Sequence, residues 1–244
     1  MWHERIQDFG EEIRPDSTFR FECRADLKCF GTCCSTEITL TPYDLARMRR
    51  HLGVDSASFL SGYCRTYTDR RTGFPFVVLK VRQDGRCIFL GEDGCQLYEN
   101  RPSCCRNYPL ARVIDEDWKS GNRVVGYYLQ QQVPYCQGFG RGPDLTIERY
   151  VKMNGLGPYE RANDTFLDIP FAFNTLPEHL RQNKEVQSMV FEAVFNFDVF
   201  FEKYGHLPHT AVPDDDDALI MMIRRIVLNL IAKAGELEPI SKTI

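Results

Sequence analysis

The chain has 244 residues, 43% of them hydrophobic and 26% charged, an ordinary globular composition with enough length to bury a core without covalent staples. A net charge of −4 and a pI near 5.8 exclude the basic face of a general nucleic-acid binder and give no electrostatic attraction to anionic lipid. The opening "MWHERIQDFGEEIRPD" has no apolar signal core, and the most apolar run, "ALIMMIRRIVLNLIA", is split by two arginines short of a membrane span, so the expected compartment is the cytoplasm.

After a polar lead-in, "FECRADLKCFGTCC" (21–34) places four cysteines within twelve positions, two of them adjacent. In "EITLTPYDLARMRRHLGV", Leu45, Met48 and Leu52 recur at helical spacing, and Thr41, Pro42 and Asp44 suit the start of that helix. "DSASFLSGYC" predicts a second short helix capped by Asp55 or Ser56. The period then shortens. "FPFVVLKV" and "RCIFL" predict strands joined through a "QDG" hairpin, "GEDG" a second tight turn, and "NRVVGYYLQQQ", after "KSG", a further strand.

From about residue 145 the pattern is helical. "LTIERYVKMNGLGPYERANDTFLDI" predicts a helix, a Gly/Pro break and a second helix. "LPEHLRQNKEVQSMVFEAVFNFDVFFEKYG" predicts one long amphipathic helix ending at Gly205, and "PDDDDALIMMIRRIVLNLIAKAG" a last helix with acids at its start and Gly235 at its end. The expected fold is α+β: a small antiparallel sheet with cysteine-rich loops around a metal site (1–144), followed by a helical region packed on it (145–244).

All ten cysteines lie at or before Cys136. In a reducing compartment, clustered cysteines point to metal rather than disulfides, and thiolates suit zinc, copper(I) and iron–sulfur clusters. Cys33 and Cys34 diverge from neighbouring backbone positions, which hinders both from binding one tetrahedral zinc and favours a polynuclear cluster; two separate four-cysteine zinc sites sharing the first group also satisfy the count. Arg101 and Arg106, flanking Cys104 and Cys105, can offset thiolate charge and donate hydrogen bonds to sulfur, or else pair with Glu99 or Glu92. Tyr98, Tyr108 and Phe89 are expected to wall the site, and the glycines of "CQGFGRG" to let backbone approach the sulfurs. His206 and His209 read as loop residues, and Asp214–Asp217 as a helix N-terminus, rather than as ligands. Phe191, Phe195, Phe197, Phe200, Phe201 and Tyr204 only partly follow helical spacing, which suggests a protein partner on the C-terminal helices.

Taken in order, "FECRADLKCFGTCC…LTPYDLARM", "CIFL…GCQLYENRPSCCRNYPLAR" and "YCQGFGRG" resemble the YkgJ-type cysteine-cluster family, described as zinc- or iron-chelating, from about Phe21 to Gly142. Position by position, the resemblance selects Cys23, Cys29, Cys33, Cys34, Cys87, Cys95, Cys105 and Cys136 as metal ligands and leaves out Cys64 and Cys104. That family is distantly similar to flagellin lysine-N-methylases, associated with an iron–sulfur cluster. The resemblance therefore implies an iron–sulfur or zinc centre, and with it an iron–sulfur-dependent oxidoreductase or a protein methyltransferase. The alternatives are a structural zinc-binding interaction module and a metal storage or delivery protein.

Overall fold

The computed structural model describes residues 10–34, 37–116, 122–130, 135–204 and 213–236. It is α+β, with short antiparallel strands and a helical C-terminal half. Two compact units are each drawn from two stretches of chain: Met1–Thr36 with Val81–Gly157, and Glu37–Lys80 with Pro158–Ile244. Among the described residues, no helix is long and apolar enough to cross a membrane.

The first unit is built around Phe19, Phe21, Leu110, Leu145, Tyr150 and Leu156, with Tyr108, Cys136 and Phe139 packed against them. Strand Phe19–Phe21 buries both phenylalanines and exposes Arg20, the two-residue alternation of a strand with one covered face. It pairs antiparallel with Phe139–Leu145 across a bulge between Phe139 and Asp144. Gly140 and Gly142 both take a φ of 75° there, which a bulge tolerates and a bulkier residue would not. A Cβ at Gly138 would stand 2.7 Å from the Phe21 ring and 3.0 Å from the Glu22 carbonyl. The glycines of "CQGFGRG" seat this strand against residues 19–22, and the same segment brings the Gln137 amide to the Cys29 sulfur. A second antiparallel sheet orders Glu11–Ile13, Arg123–Leu129 and Leu110–Glu116 side by side, so the run "NRVVGYYL" is a strand as expected. The "KSG" turn lies outside the described residues. "GEDG" forms a two-residue hairpin between Leu90–Gly91 and Gly94–Cys95.

In the second unit, helix Pro42–Leu52 starts with a reciprocal capping box: the Thr41 hydroxyl accepts from the Asp44 amide, and the Asp44 carboxylate accepts from the Thr41 amide. Thr41→Ala should lower stability by about 1 kcal/mol, the usual worth of an N-cap, read as a shifted urea midpoint at unchanged slope. Asp55 caps Ser56–Tyr63 through the Ser58 amide. Strand Pro75–Leu79 runs between Thr39–Leu40 and Cys64–Thr68. It is not one arm of a long hairpin with "RCIFL"; that pairing is reduced to a single bridge, Val81 to Cys87, over the Arg82–Gly85 turn. The reason is legible in its burial: four of its five residues are buried, so it sits centrally with a neighbour on each side.

The expected long helix over 176–205 is instead three: Glu178–Arg181, Lys184–Val194 and Phe197–Tyr204. Asn183 stops the first and caps the second by accepting from the Glu185 and Val186 amides. The second break follows from Ser56. Its hydroxyl donates to the Asn196 side chain, its amide donates to the Asp198 carboxylate, and the Asp198 amide donates back to the hydroxyl. With the axis interrupted, Phe195, Phe197, Phe200 and Phe201 all become core, although no single helical face could have held them. Gly205 lies outside the described residues. The last helix spans Asp216–Glu236 with Gly235 inside it, and Asp215 accepts from the Ala218 amide at its start. Asp216 pairs with Arg50 at 2.7 Å.

Candidate metal centre

The cysteine loop 22–34 is a run of tight turns rather than a helix or strand. Amide-to-carbonyl bonds link Leu27 to Arg24, Phe30 to Leu27, Thr32 to Cys29 and Cys34 to Gly31. Each turn reverses the side-chain direction within a few residues, which is how closely spaced thiols come to point different ways. The loop is fixed at both ends: the Glu22 amide donates to the Gly138 carbonyl at 3.1 Å, and the Cys87 amide donates to the Cys34 carbonyl at 2.6 Å. Gly94, at φ 113°, carries the hairpin against the Phe30 ring, where a Cβ would stand 3.0 Å from two ring carbons.

The eight thiols selected by resemblance fall into two electrostatic neighbourhoods. Cys23 is pushed up to about 11, first by burial and then by the thiols of Cys33, Cys29 and Cys136. Cys34 feels Cys33 first and then Cys105 and Cys87; Cys87 feels Cys105 and Cys95; and Cys95 feels Cys105. Cys23 thus has Cys29, Cys33 and Cys136 as thiol neighbours, while Cys34, Cys87 and Cys95 have Cys105 in common. The two neighbourhoods meet at the adjacent pair. Cys34 donates a hydrogen bond to Cys33, which draws Cys33 down to about 7 and pushes Cys34 well up.

Four of the sulfurs accept backbone N–H bonds, Cys33 from its own amide. The Gln137 amide reaches Cys29 Sγ at 3.2 Å, and the amides of Phe89 and Leu97, two residues on from their cysteines, favour the thiolates of Cys87 and Cys95. Burial outweighs those two bonds, so both thiols are raised overall. Soft donors with amides aimed at sulfur are what a thiolate-bound metal requires, and this donor chemistry fits zinc or iron. Among the described residues, no group of three or more cysteine, histidine, aspartate or glutamate side chains is positioned, as it stands, to hold a metal ion. The thiols are gathered but not closed. All ten cysteines are free.

Cys64 belongs to the second unit, buried on its central sheet, and burial pushes it up to about 12. Cys104 is exposed on the short helix Ser103–Asn107 and is not among the principal neighbours of Cys23, Cys34, Cys87 or Cys95. Arg101 lowers both Cys23 and Cys95. Arg106 is buried, and its guanidinium donates to the carbonyls of Asn154 at 2.7 Å and Glu99 at 2.6 Å, clamping backbone. Phe89 is buried, and Tyr108 lies beside Cys136, with burial and that thiol pushing its phenol up. Tyr98 is half exposed and stacks on Arg101, so it does not wall the thiols as expected. Nothing in the residue pattern signalled the sulfur-facing amides or Arg82, which acts on Cys87. Backbone donors carry no residue signature, and Arg82 sits in an ordinary turn. His206 and His209 lie outside the described residues.

Fold and thiols define a cysteine-cluster metal-binding class. Residues 22–136 match the family model CxxCxxCC, described as "Putative zinc- or iron-chelating domain". No curated protein and no solved structure matches the chain.

Proposed function

We propose that the chain is a metal-binding protein with two four-thiolate centres, one in Cys23, Cys29, Cys33 and Cys136 and the other in Cys34, Cys87, Cys95 and Cys105, and that these are iron–sulfur clusters serving electron transfer. The division of the adjacent cysteines between two thiol neighbourhoods carries this reading. In the second quartet, Cys87, Cys95 and Cys105 are separated by seven and nine residues, without the close ligand pairs of mononuclear zinc sites. A cluster is wider than one ion and takes ligands from separated loops. Bound clusters would supply one-electron chemistry, and the Cys33–Cys34 contact would give the two centres a short connection. Methyl transfer rests on the family resemblance alone.

Zinc is the second reading, and a specific observation favours it. With Cys33 and Cys34 in different quartets, neither centre asks two neighbouring residues to bind one tetrahedral ion, and Cys29 and Cys33 have the spacing of a zinc ligand pair. Protein purified without oxygen and assayed for metal, acid-labile sulfide and visible absorption separates the two. Brown protein with matched iron and sulfide is expected. Colourless protein with two zinc ions and no sulfide moves the assignment to zinc, and protein holding neither metal overturns both.

A further inference from the structure

We propose that the open edge of the strand Cys64–Thr68, in the second unit, is a docking site for an extended acidic segment of a partner protein, which adds to the sheet as a further antiparallel strand. The strand lies at the end of its sheet and pairs on one side only, with Pro75–Leu79. The Lys80 amide donates to the Tyr63 carbonyl, and the Asp69 amide to the Phe74 carbonyl. Hydrogen-bonded pairs alternate along an antiparallel ladder, so Arg65 and Tyr67 turn their backbone groups toward Pro75–Leu79, and Thr66 and Thr68 turn theirs to the open side. Among the described residues, no strand meets them there. Arg65, Thr66 and Tyr67 are all exposed.

Edge strands are ordinarily shielded by a proline, a bulge or a charge. This one has an unbroken register and no proline, and its single charged residue, Arg65, pairs with Glu37. Tyr67, 48% exposed, stacks on Phe76 with 5.4 Å between ring centres and offers a flat apolar surface beside the edge. The sign of the surroundings selects the partner. In the turn that follows the strand, Arg70 and Arg71 are exposed, and the Arg181 guanidinium donates to the carbonyls of Arg71 and Thr72. Against these three cations stands Asp69, whose carboxylate already accepts from the amides of Arg71 and Thr72 and from the Thr72 hydroxyl. At the other end of the strand, Lys80 Nζ donates to the carbonyls of Ser61 and Gly62. A chain of net charge −4 thus gathers cations along this edge, which attracts carboxylates on an incoming strand and repels a basic one. Main-chain bonds to Thr66 and Thr68 give affinity, and the charges give selectivity.

The test uses the full chain and a short, blocked, fluorescently labelled peptide alternating valine and glutamate, with its valine–lysine counterpart as control. The acidic probe is expected to bind, more weakly as salt is raised, and the basic probe to bind at least about tenfold less tightly, because like charges then face each other. Amide exchange followed by NMR gives the location. Thr66 and Thr68 should gain protection with the acidic probe, whereas Arg65 and Tyr67, already in the ladder, should be protected with or without it. Thr66→Pro removes an outward donor and no ladder bond, and should lower affinity at least about tenfold. Arg70→Glu combined with Arg71→Glu, both in an exposed turn, should lower it by as much and flatten the salt dependence. No binding of the acidic probe, equal binding of both probes, or binding without protection of Thr66 overturns the proposal. Protection of Thr66 that rises with protein concentration in the absence of peptide overturns it too, since the occupant would then be a second copy of the chain.

Discussion

Cys33→Ser is expected to release one of two metal equivalents, and Cys34→Ser the other. The residues are neighbours in the chain, so a single shared centre would make the two variants equivalent. The proposed partition makes them different: it assigns Cys33 to the centre of Cys23, Cys29 and Cys136, and Cys34 to that of Cys87, Cys95 and Cys105. A serine hydroxyl is a hard, weakly acidic donor in place of a soft thiolate, and affinity at the damaged centre should fall by about a hundredfold or more, since even supporting residues account for ten- to a hundredfold. Metal content gives the count, and thiol alkylation read by mass spectrometry gives the identity. Cys33→Ser should expose Cys23, Cys29 and Cys136 to alkylation while Cys87, Cys95 and Cys105 stay protected, and Cys34→Ser should reverse the pattern. The same thiols exposed in both variants would mean one centre, and the partition would be wrong. Cys64 should resist alkylation throughout, being buried and held as the neutral thiol.

What the sequence made legible follows from how local each signal is. The helix at Pro42–Leu52 was readable because Thr41, Pro42 and Asp44 act on the backbone within one turn. The break between Phe195 and Phe197 was not, because its cause is Ser56, about 140 residues away. The same holds for the strand Pro75–Leu79: its apolar run signalled a strand, but its partners come from residues 39–40 and 64–68 and not from the neighbouring "RCIFL". At the candidate centre, the clustering of cysteines was visible from spacing, and the eight candidates came from the motif resemblance. Their sorting into quartets depends on the turns from Arg24 to Cys34 and on the Cys87 amide reaching back to Cys34, and neither leaves a mark in composition or periodicity. Gly138, Gly140 and Gly142 show the opposite failure. Their unusual density was visible, but glycine reports close approach or a positive φ without saying which: Gly138 and Gly142 lie against Phe21 and Glu22, whereas Gly140 has open space around it and only its φ of 75° to account for it.

Removing the metal is expected to loosen the cysteine loops and leave the second unit folded. Residues 22–34 and 86–107 hold few apolar anchors, mainly Leu27, Phe89, Leu90 and Leu97, and otherwise depend on turn hydrogen bonds and on the six-residue core around Phe21 and Leu110. Turns of this kind open readily unless something ties the side chains together, and a thiolate-bound ion does so at apparent free energies of about 10–16 kcal/mol in small zinc domains. The second unit has no such dependence. Leu45, Met48, Phe59, Phe173, Phe195, Phe197, Leu219 and Ile220 are almost fully excluded from solvent, a core that supports itself without metal. Hydrogen exchange on the intact chain before and after chelation tests this directly. The amides of Thr32, Cys34, Cys87, Gln96 and Asn100 should lose protection by about a thousandfold, equivalent to about 4 kcal/mol, while those of Pro42–Leu52 and Lys184–Val194 stay as they were. Retained protection in the cysteine loops would show that the thiols are held without metal, and loss in the second unit would show that its stability is not its own.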